Sequence, residues 1–587
     1  MMKSKEHIYL IIIIIIQVFL LLFLFTKKEG YHSDEVWNYA FANSAQSKEL
    51  IYDDYGNTYN NQWITSETMR KYITVDRDHR FNYKSVFKNV SKDINPPLQY
   101  LVLHTICSFF PETFSWYFCF FINICSFVVS QVFLYLLMRK MTNNNWIGIA
   151  VVLLYGFGVG AMNITLFMRI YAFAVMFMVV FLYNCHMIYN YRNETYQPFR
   201  YYLGAGMTCF LGAYTLHLFL LTAFFVTISY SVYYFITKRY KVFFKHGLSV
   251  LSGALLSILL FPSTFADIGG AAQSHSYASL KYPFWFQFRI YLYNLTRELF
   301  GIHTPSITYS GFAIILPIIA GIVLVLISMW FVFRKENWLK RFIIKSKYRL
   351  REVIDSCKNF QFSCVAILIG CLATLLMVSD RTSIYYMGIY ADRYIFIIYP
   401  ISCVLVVSVL YFLFFQMTRK VFFSTAIMIS LSLLAAIYTH IQFGSTNYLF
   451  LNDSKCFKLE LIEEDARCIL VVSSDWYVTC FAPKLYHTDQ YYFSNLRDYE
   501  DNSVFDGVDK KKPYYLILDQ KYIKKTNQNT DTMLEDNDFK ILLEEALMDE
   551  ERILSFYREF ECVNQLVYVG TDSEMKQTFK IYRIDFK

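Results

Sequence analysis

Charge is scarce in this sequence. Asp, Glu, Lys and Arg supply 17% of the 587 residues, while 56% are hydrophobic and 19% aromatic. Soluble domains carry about 25% charged residues, so this composition excludes an ordinary water-soluble enzyme. The 13 cysteines contain no C-x-x-C pair and no Cys/His spacing of the zinc-binding kind, and most lie in apolar runs, where Cys behaves as a small hydrophobe. No Gly-rich phosphate-cradling loop occurs in the polar C-terminal part, which argues against a nucleotide site there. No internal repeat stands out, and the one biased tract, Ile11 to Ile16, needs no reading beyond membrane insertion. The run Ile8 to Phe25 lacks a small-residue cleavage site and is followed by Thr26-Lys27-Lys28, so it reads as an uncleaved span.

What the sequence does have is apolar runs of roughly 20 residues, the length needed to cross a hydrocarbon core of about 30 Å. The mean hydropathy is +0.31 and the formal net charge +8. That charge gathers between the runs, at Arg139-Lys140, Arg192 with Arg200, Lys238-Arg239-Lys241-Lys245, Arg334 to Lys358 and Arg419-Lys420. Placing each cluster inside pairs the spans in alternation, so the charge is a topology signal and no nucleic acid is expected as a partner. The reading is an α-helical polytopic membrane protein of about 11 spans, N-terminus inside and C-terminus outside. Its expected parts are a first span at 1–26, an external loop at 27–112, a transmembrane bundle at 113–440 and an external α/β domain at 441–587. The long first loop, rich in Trp and Tyr, suits short amphipathic helices at the headgroup level. The stretch Trp285 to Phe300, which carries Arg289, Arg297 and Glu298, likewise reads as interfacial. In the C-terminal domain, Cys468 to Ser473 and Tyr514 to Asp519 read as buried parallel strands. Cys456, Cys468, Cys480 and Cys562 fall in this part, where disulfides are compatible with an external location.

The topology puts a short set of polar residues on the outer side: Asp34 and Glu35, Asp93, Arg169, His217, and Asp392 with Arg393. Ionisable groups at a membrane rim are costly and usually functional, and outer arginines run against the positive-inside bias. The bland readings are a solvated span exit for the acids, snorkelling anchors for the arginines and a helix-end histidine for His217. Pro96-Pro97 alone would be a helix start.

Taken in order, the pieces resemble the GT-C superfamily of polyprenyl-phosphate-sugar-dependent glycosyltransferases. They are most similar to the bacterial branch of protein O-mannosyltransferases and aminoarabinose transferases. The matching elements are the Asp34-Glu35 pair after the first span, DINPPLQY from Asp93 to Tyr100, RIYAF from Arg169, TLHLF from Thr215 and RYIFIIYP from Arg393. At Asn95 the family pattern has histidine, so a role of that histidine is not carried over.

The resemblance implies transfer of a sugar from a lipid phosphate to an acceptor hydroxyl with inversion, at the outer face of the plasma membrane. Asp34 is then the expected base. Glu35, whose side chain diverges from it by about 100° on a helix, orients the loop or an acceptor hydroxyl, or the two acids exchange these roles, and Asp93 enters the same pocket. Arg169 and Arg393 are expected to hold the donor phosphate, since guanidinium grips phosphate in a bidentate fork. His217, Asn95, Tyr100 and Asp392 are the expected substrate-binding residues. No cofactor is certain; a divalent magnesium or manganese ion is compatible, with Asp34 and Asp93 as its ligands. The expected partners are a polyprenyl-phosphate sugar donor, a protein, lipid or cell-wall polymer as acceptor, and membrane lipids. The competing readings are a membrane glycan polymerase or ligase, a non-catalytic scaffold, and a lipid or sugar transporter; a transporter would place charge at mid-span and show paired halves.

Overall fold

The structure is a computed structural model that describes residues 5–45, 60–91, 95–191, 199–262, 283–301, 362–382, 388–418, 420–441, 446–451, 457–458, 462–472, 476–495, 499–507, 509–519, 550–574 and 577–587. The chain forms two compact units. The first comprises Met1–Thr26, Ile94–Gln99 and Cys119–Tyr448, and the second Lys27–Asp93, Tyr100–Phe118 and Leu449–Lys587.

Among the described residues, 8 helices are long and apolar enough to cross a membrane, or 9 if a bent pair counts as one span. The chain is a multi-pass membrane protein. The bent pair is Asn145–Gly156 and Val159–Leu166, which meet at 59°. The Phe199–Ala213 helix has 15 residues. At 1.5 Å per residue that is about 22 Å, short of a hydrocarbon core of about 30 Å. The basic stretch Arg334 to Lys358 lies outside the described residues.

In the first unit, the Lys5–Phe25 helix is apolar on nearly every side but buries one stripe. Leu10, Ile14, Gln17, Leu21 and Leu24 are buried at alternating steps of four and three, while Ile11, Ile12, Ile15, Ile16 and Phe19 are exposed, as a lipid-facing surface requires. The single polar residue in the stripe is satisfied: Gln17 Nε2 donates to the Val152 carbonyl at 3.0 Å and Gln17 Oε1 accepts from Gln131 Nε2 at 2.6 Å. Gly156, at the end of the first half of the bent pair, makes room for them. A Cβ there would lie 1.9 Å from Gln131 Nε2.

The bend has its own filler. Tyr399 donates its hydroxyl to the Tyr155 carbonyl at 3.2 Å, and a Cβ on Gly158 would come within 2.1 Å of that hydroxyl. Tyr399 follows an 11-residue 3-10 stretch, Gly388–Ile398, which leads into the Tyr399–Thr418 helix. Runs of 3-10 helix beyond 3–4 residues are uncommon and often mark a functional or strained segment. This one carries Asp392 and Arg393.

The second unit is built on a sheet. Its strands are β1 (Gly30–Tyr31), β2 (Gln62–Thr65), β3 (Phe457–Lys458), β4 (Arg467–Val472), β5 (Gln490–Asn495), β6 (Tyr514–Asp519), β7 (Val563–Glu574) and β8 (Gln577–Phe586). Six of them run in the order β2-β5-β4-β6-β8-β7, and β1 pairs separately with β3. The segments read as parallel strands are β4 and β6, which are parallel neighbours; β5 lies parallel on the other side of β4. Their near-continuous apolar runs are what a parallel strand covered on both faces demands, and Ile469, Val471, Leu516 and Leu518 enter one core with Ile553, Tyr557 and Ile584.

The edge strand β2 comes from the first loop, so the sheet is not made of C-terminal residues alone. Trp63 fixes that edge, packing on Tyr492 and Tyr514 and donating Nε1 to the Val504 carbonyl at 2.8 Å. Cys468 and Cys562 are free thiols, while Cys456 lies outside the described residues. The Tyr83–Val90 helix buries Val86 and Val90 and exposes Tyr83, Lys84, Phe87 and Lys88. With Leu101, Val102 and Thr105, Tyr83 and Phe87 line an apolar cavity of about 380 Å³.

Candidate functional site

The acid pair sits at the start of the Ser33–Asn43 helix in the second unit. His32 is the N-cap, and its Nδ1 accepts from the Asp34 backbone N–H at 3.1 Å. Glu35 completes a capping box by accepting the His32 backbone N–H through Oε2 at 2.8 Å, and Oε1 takes Lys28 Nζ in a buried ion pair. Both carboxylates also favour the helix N-terminus electrostatically. Glu35 is fully buried, whereas the Asp34 side chain keeps 13% exposure, with Oδ1 3.8 Å from His32 Nδ1. The turn is anchored by the C-terminal part of the same unit: Tyr31 donates its hydroxyl to the Cys480 carbonyl at 3.0 Å, and Trp37 Nε1 donates to Thr479 Oγ1 at 3.3 Å.

The arginines lie in the first unit. Asn123 Nδ2 donates to the Thr165 and Phe167 carbonyls at 3.0 and 2.9 Å, closing the end of the Val159–Leu166 helix and setting the short turn that carries Arg169. Phe167 stacks on Tyr448 at 4.3 Å. The Tyr448 hydroxyl donates to Asp392 Oδ1 at 3.0 Å, beside Arg393 in the chain. The Arg169 and Arg393 segments are therefore joined through one aromatic residue, and both arginines are more than nine-tenths buried.

A buried ionic network braces the same place. Asp392 Oδ2 accepts from Arg297 Nη2 and from Asn447 Nδ2, each at 2.9 Å. Arg297 Nη2 also reaches Glu298 Oε1 at 2.9 Å, and Asn163 Nδ2 donates to both Glu298 oxygens at 3.1 and 3.0 Å. Asp392, expected to bind substrate, thus has both oxygens engaged by protein donors. The Phe284–Phe300 helix also differs from its interfacial reading: Arg297 and Glu298 are buried, and pairing is what makes that burial tolerable. Asn163, Asn447 and Tyr448 lie in no motif of the sequence, and Arg297 and Glu298 read there as interfacial. The signal available was the Arg-Glu doublet inside an otherwise apolar helix.

The Pro96-Pro97 turn docks elsewhere in the first unit. The Leu98 backbone N–H donates to the Tyr214 carbonyl at 3.1 Å, which brings the Asn95 turn to the turn before His217, the first residue of the His217–Ile236 helix. Tyr100 is buried in the second unit, edge-on to Phe41 at 5.7 Å. Asp93 lies outside the described residues.

A magnesium or manganese ion asks for several oxygen ligands. Glu35 is committed to its cap and Lys28, and among the described residues no three His, Cys, Asp or Glu side chains converge. Asp93, the other expected ligand, lies outside the described residues.

No family model and no curated protein matches the chain. Among solved structures, it is similar to ArnT from Cupriavidus metallidurans in the apo state at 9% identity and a TM-score of 0.46, over 99% of this chain and 98% of that one. The same ArnT bound to undecaprenyl phosphate gives 10% and 0.41, over 97% of each chain. The archaeal oligosaccharyltransferase AglB from Archaeoglobus fulgidus, in complex with an inhibitory peptide and a dolichol-phosphate, gives 12% and 0.41, over 87% of this chain and 70% of that one.

Proposed function

We propose that this protein is an inverting glycosyltransferase that moves a sugar from a polyprenyl-phosphate carrier to an acceptor hydroxyl at the outer face of the plasma membrane. The observation that carries the reading is the burial of Arg169 and Arg393 on two segments joined through Tyr448. The donor is a phosphodiester with one negative charge; when its glycosidic bond breaks, the leaving phosphate gains a second. Buried guanidinium groups stabilise that growing charge in surroundings where water screens little. Asp34 takes the proton of the acceptor hydroxyl, whose oxygen attacks the anomeric carbon from the side opposite the phosphate. One bond forms, one breaks, and the polyprenyl phosphate departs.

In this reading Glu35 and Asp392 are positioning residues. Glu35 fixes the helix start that presents Asp34, and Asp392 holds the chain at Arg393. His217, Asn95 and Tyr100 contribute to substrate binding, Asp93 serves beside Asp34, and the acceptor is a protein, lipid or cell-wall polymer.

The test uses purified protein in lipid with a panel of radiolabelled polyprenyl-phosphate sugars, comparing the unmodified chain with Asp34→Asn. One donor should support transfer, and the variant should lose about 10³-fold in turnover, within the range general-base catalysis supplies, while still binding the lipid. No turnover with any donor, and no difference between the two proteins, would move the reading to a scaffold or a transporter.

A further inference from the structure

We propose that Tyr448 is the positioning residue of the donor-phosphate site, holding Arg393 through its hydroxyl and Arg169 through its ring. The inference rests on the glycosyltransferase reading and assigns a role to a residue outside every sequence motif.

Tyr448 is fully buried in the short turn Asn447–Leu449, beyond the last described apolar helix. Its two ends meet different elements. The hydroxyl donates to Asp392 Oδ1, and Arg393 is the next residue along a 3-10 stretch. The ring stacks on Phe167 at 4.3 Å, two residues before Arg169, in a turn tightened by the Arg169 N–H donating to the Phe167 carbonyl at 2.7 Å. Phe396 and Tyr390, from the Arg393 segment, also pack on it at 6.0 and 5.5 Å.

Tyrosine suits the position because the two tasks need different chemistry. A flat apolar face registers the Arg169 turn by stacking. A hydroxyl aimed at a buried carboxylate makes a charge-assisted bond of fixed direction. Asp392 is held from its other oxygen by Arg297 and Asn447, so the Tyr448 hydroxyl sets the rotation of the carboxylate about its axis. A shift of that carboxylate moves the neighbouring backbone, and with it the guanidinium that must meet a phosphate in bidentate geometry.

The test is a set of double-mutant cycles on the full-length protein in nanodiscs, reading the affinity for undecaprenyl phosphate itself, which needs no turnover. Tyr448→Phe keeps the ring and removes the hydroxyl, and should weaken binding about tenfold, the scale of a hydrogen bond to a charged group. Combined with Arg393→Ala it should add no more than about twofold beyond Arg393→Ala alone, whereas combined with Arg169→Ala the two losses should multiply. Tyr448→Ala should lose both functions and bind about tenfold more weakly again. If that variant fails to fold, the Tyr448→Phe cycles still decide.

A residue that merely packs would give the same coupling with both arginines or none, and either pattern overturns the proposal. Unchanged affinity in Tyr448→Phe, with clear losses in both arginine variants, also overturns it and leaves the donor reading standing. Well-folded Arg169→Ala and Arg393→Ala proteins that bind the lipid phosphate normally would remove the donor reading and this inference together.

Discussion

At the start of the Ser33–Asn43 helix two acidic neighbours part company, whereas near the end of the Phe284–Phe300 helix Arg297 and its neighbour Glu298 stay together. Glu35 turns back to the cap and to Lys28 and disappears from solvent, while Asp34 retains 13% exposure. Arg297 and Glu298 are both buried and bonded to each other, and each also reaches a further helix or turn. The helix ends explain part of the contrast. Adjacent residues on a helix diverge by about 100°, so one acid at an N-terminus can serve the cap while the other cannot. A cation in a last turn answers the negative end of the helix, and the Phe284–Phe300 helix closes with Gly301 at φ 66, whose N–H donates to the Arg297 carbonyl. In the proposed reading, the acid that reacts is left accessible by a neighbour that carries the structural bond. A pair that is to brace a bundle is buried whole.

The contrast breaks most visibly at Arg297. Arg297→Ala would leave Glu298 and Asp392 as buried carboxylates without their shared guanidinium, and losing one partner of such a pair costs about 3–5 kcal/mol. The yield of monodisperse protein on a sizing column and its melting temperature in detergent should both fall sharply; a variant that melts like the parent would mean that the network is wet and contributes little.

A smaller effect sharpens the other side. Glu35→Gln keeps acceptor atoms for the His32 N–H but loses the charge facing Lys28, and should cost about 1–3 kcal/mol of stability. Turnover per folded molecule should change far less than in Asp34→Asn. Equal activity losses in the two variants would erase the division of labour between the neighbours.

The sequence made one side of this comparison easier to read than the other. Long apolar runs announce spans because a lipid core requires length and little else, and the strands at 467–472 and 514–519 announced themselves by burial on two faces. Asp34, Arg169 and Arg393 stood out because charge at a membrane rim is costly. The brace around Asp392 was not legible: Asn163, Arg297, and Asn447 with Tyr448 come from three separated elements, and no spacing along the chain encodes that they meet. The doublet at 297–298 was visible, but exposure at an interface and burial with a partner look alike until the partner is known. The same holds for β2, a short segment with Trp63 at its centre, whose strand character depends on the sheet edge it finds.

A third acid, Asp489, marks the exposed end of the scale. It lies beside β5, with Arg467 Nε at 2.9 Å and Lys512 Nζ at 2.7 Å from Oδ2, and its side chain is 29% exposed. Partial burial works to raise its pKa, but hydrogen bonds and charge from Lys512 and Arg467 prevail and hold it below the usual aspartate value. A carboxylate with a depressed folded-state pKa lends stability that is present above its unfolded value of about 3.9 and lost as pH falls through the folded one. Solvent screening keeps the contribution below about 1 kcal/mol. Asp489→Asn should therefore lower the melting temperature slightly at pH 6 and converge on the parent in acid below about pH 4. A loss as large as that of Arg297→Ala would show that exposure does not grade these acids, and that the sheet edge bearing Trp63 depends on this ion pair far more than its open position allows.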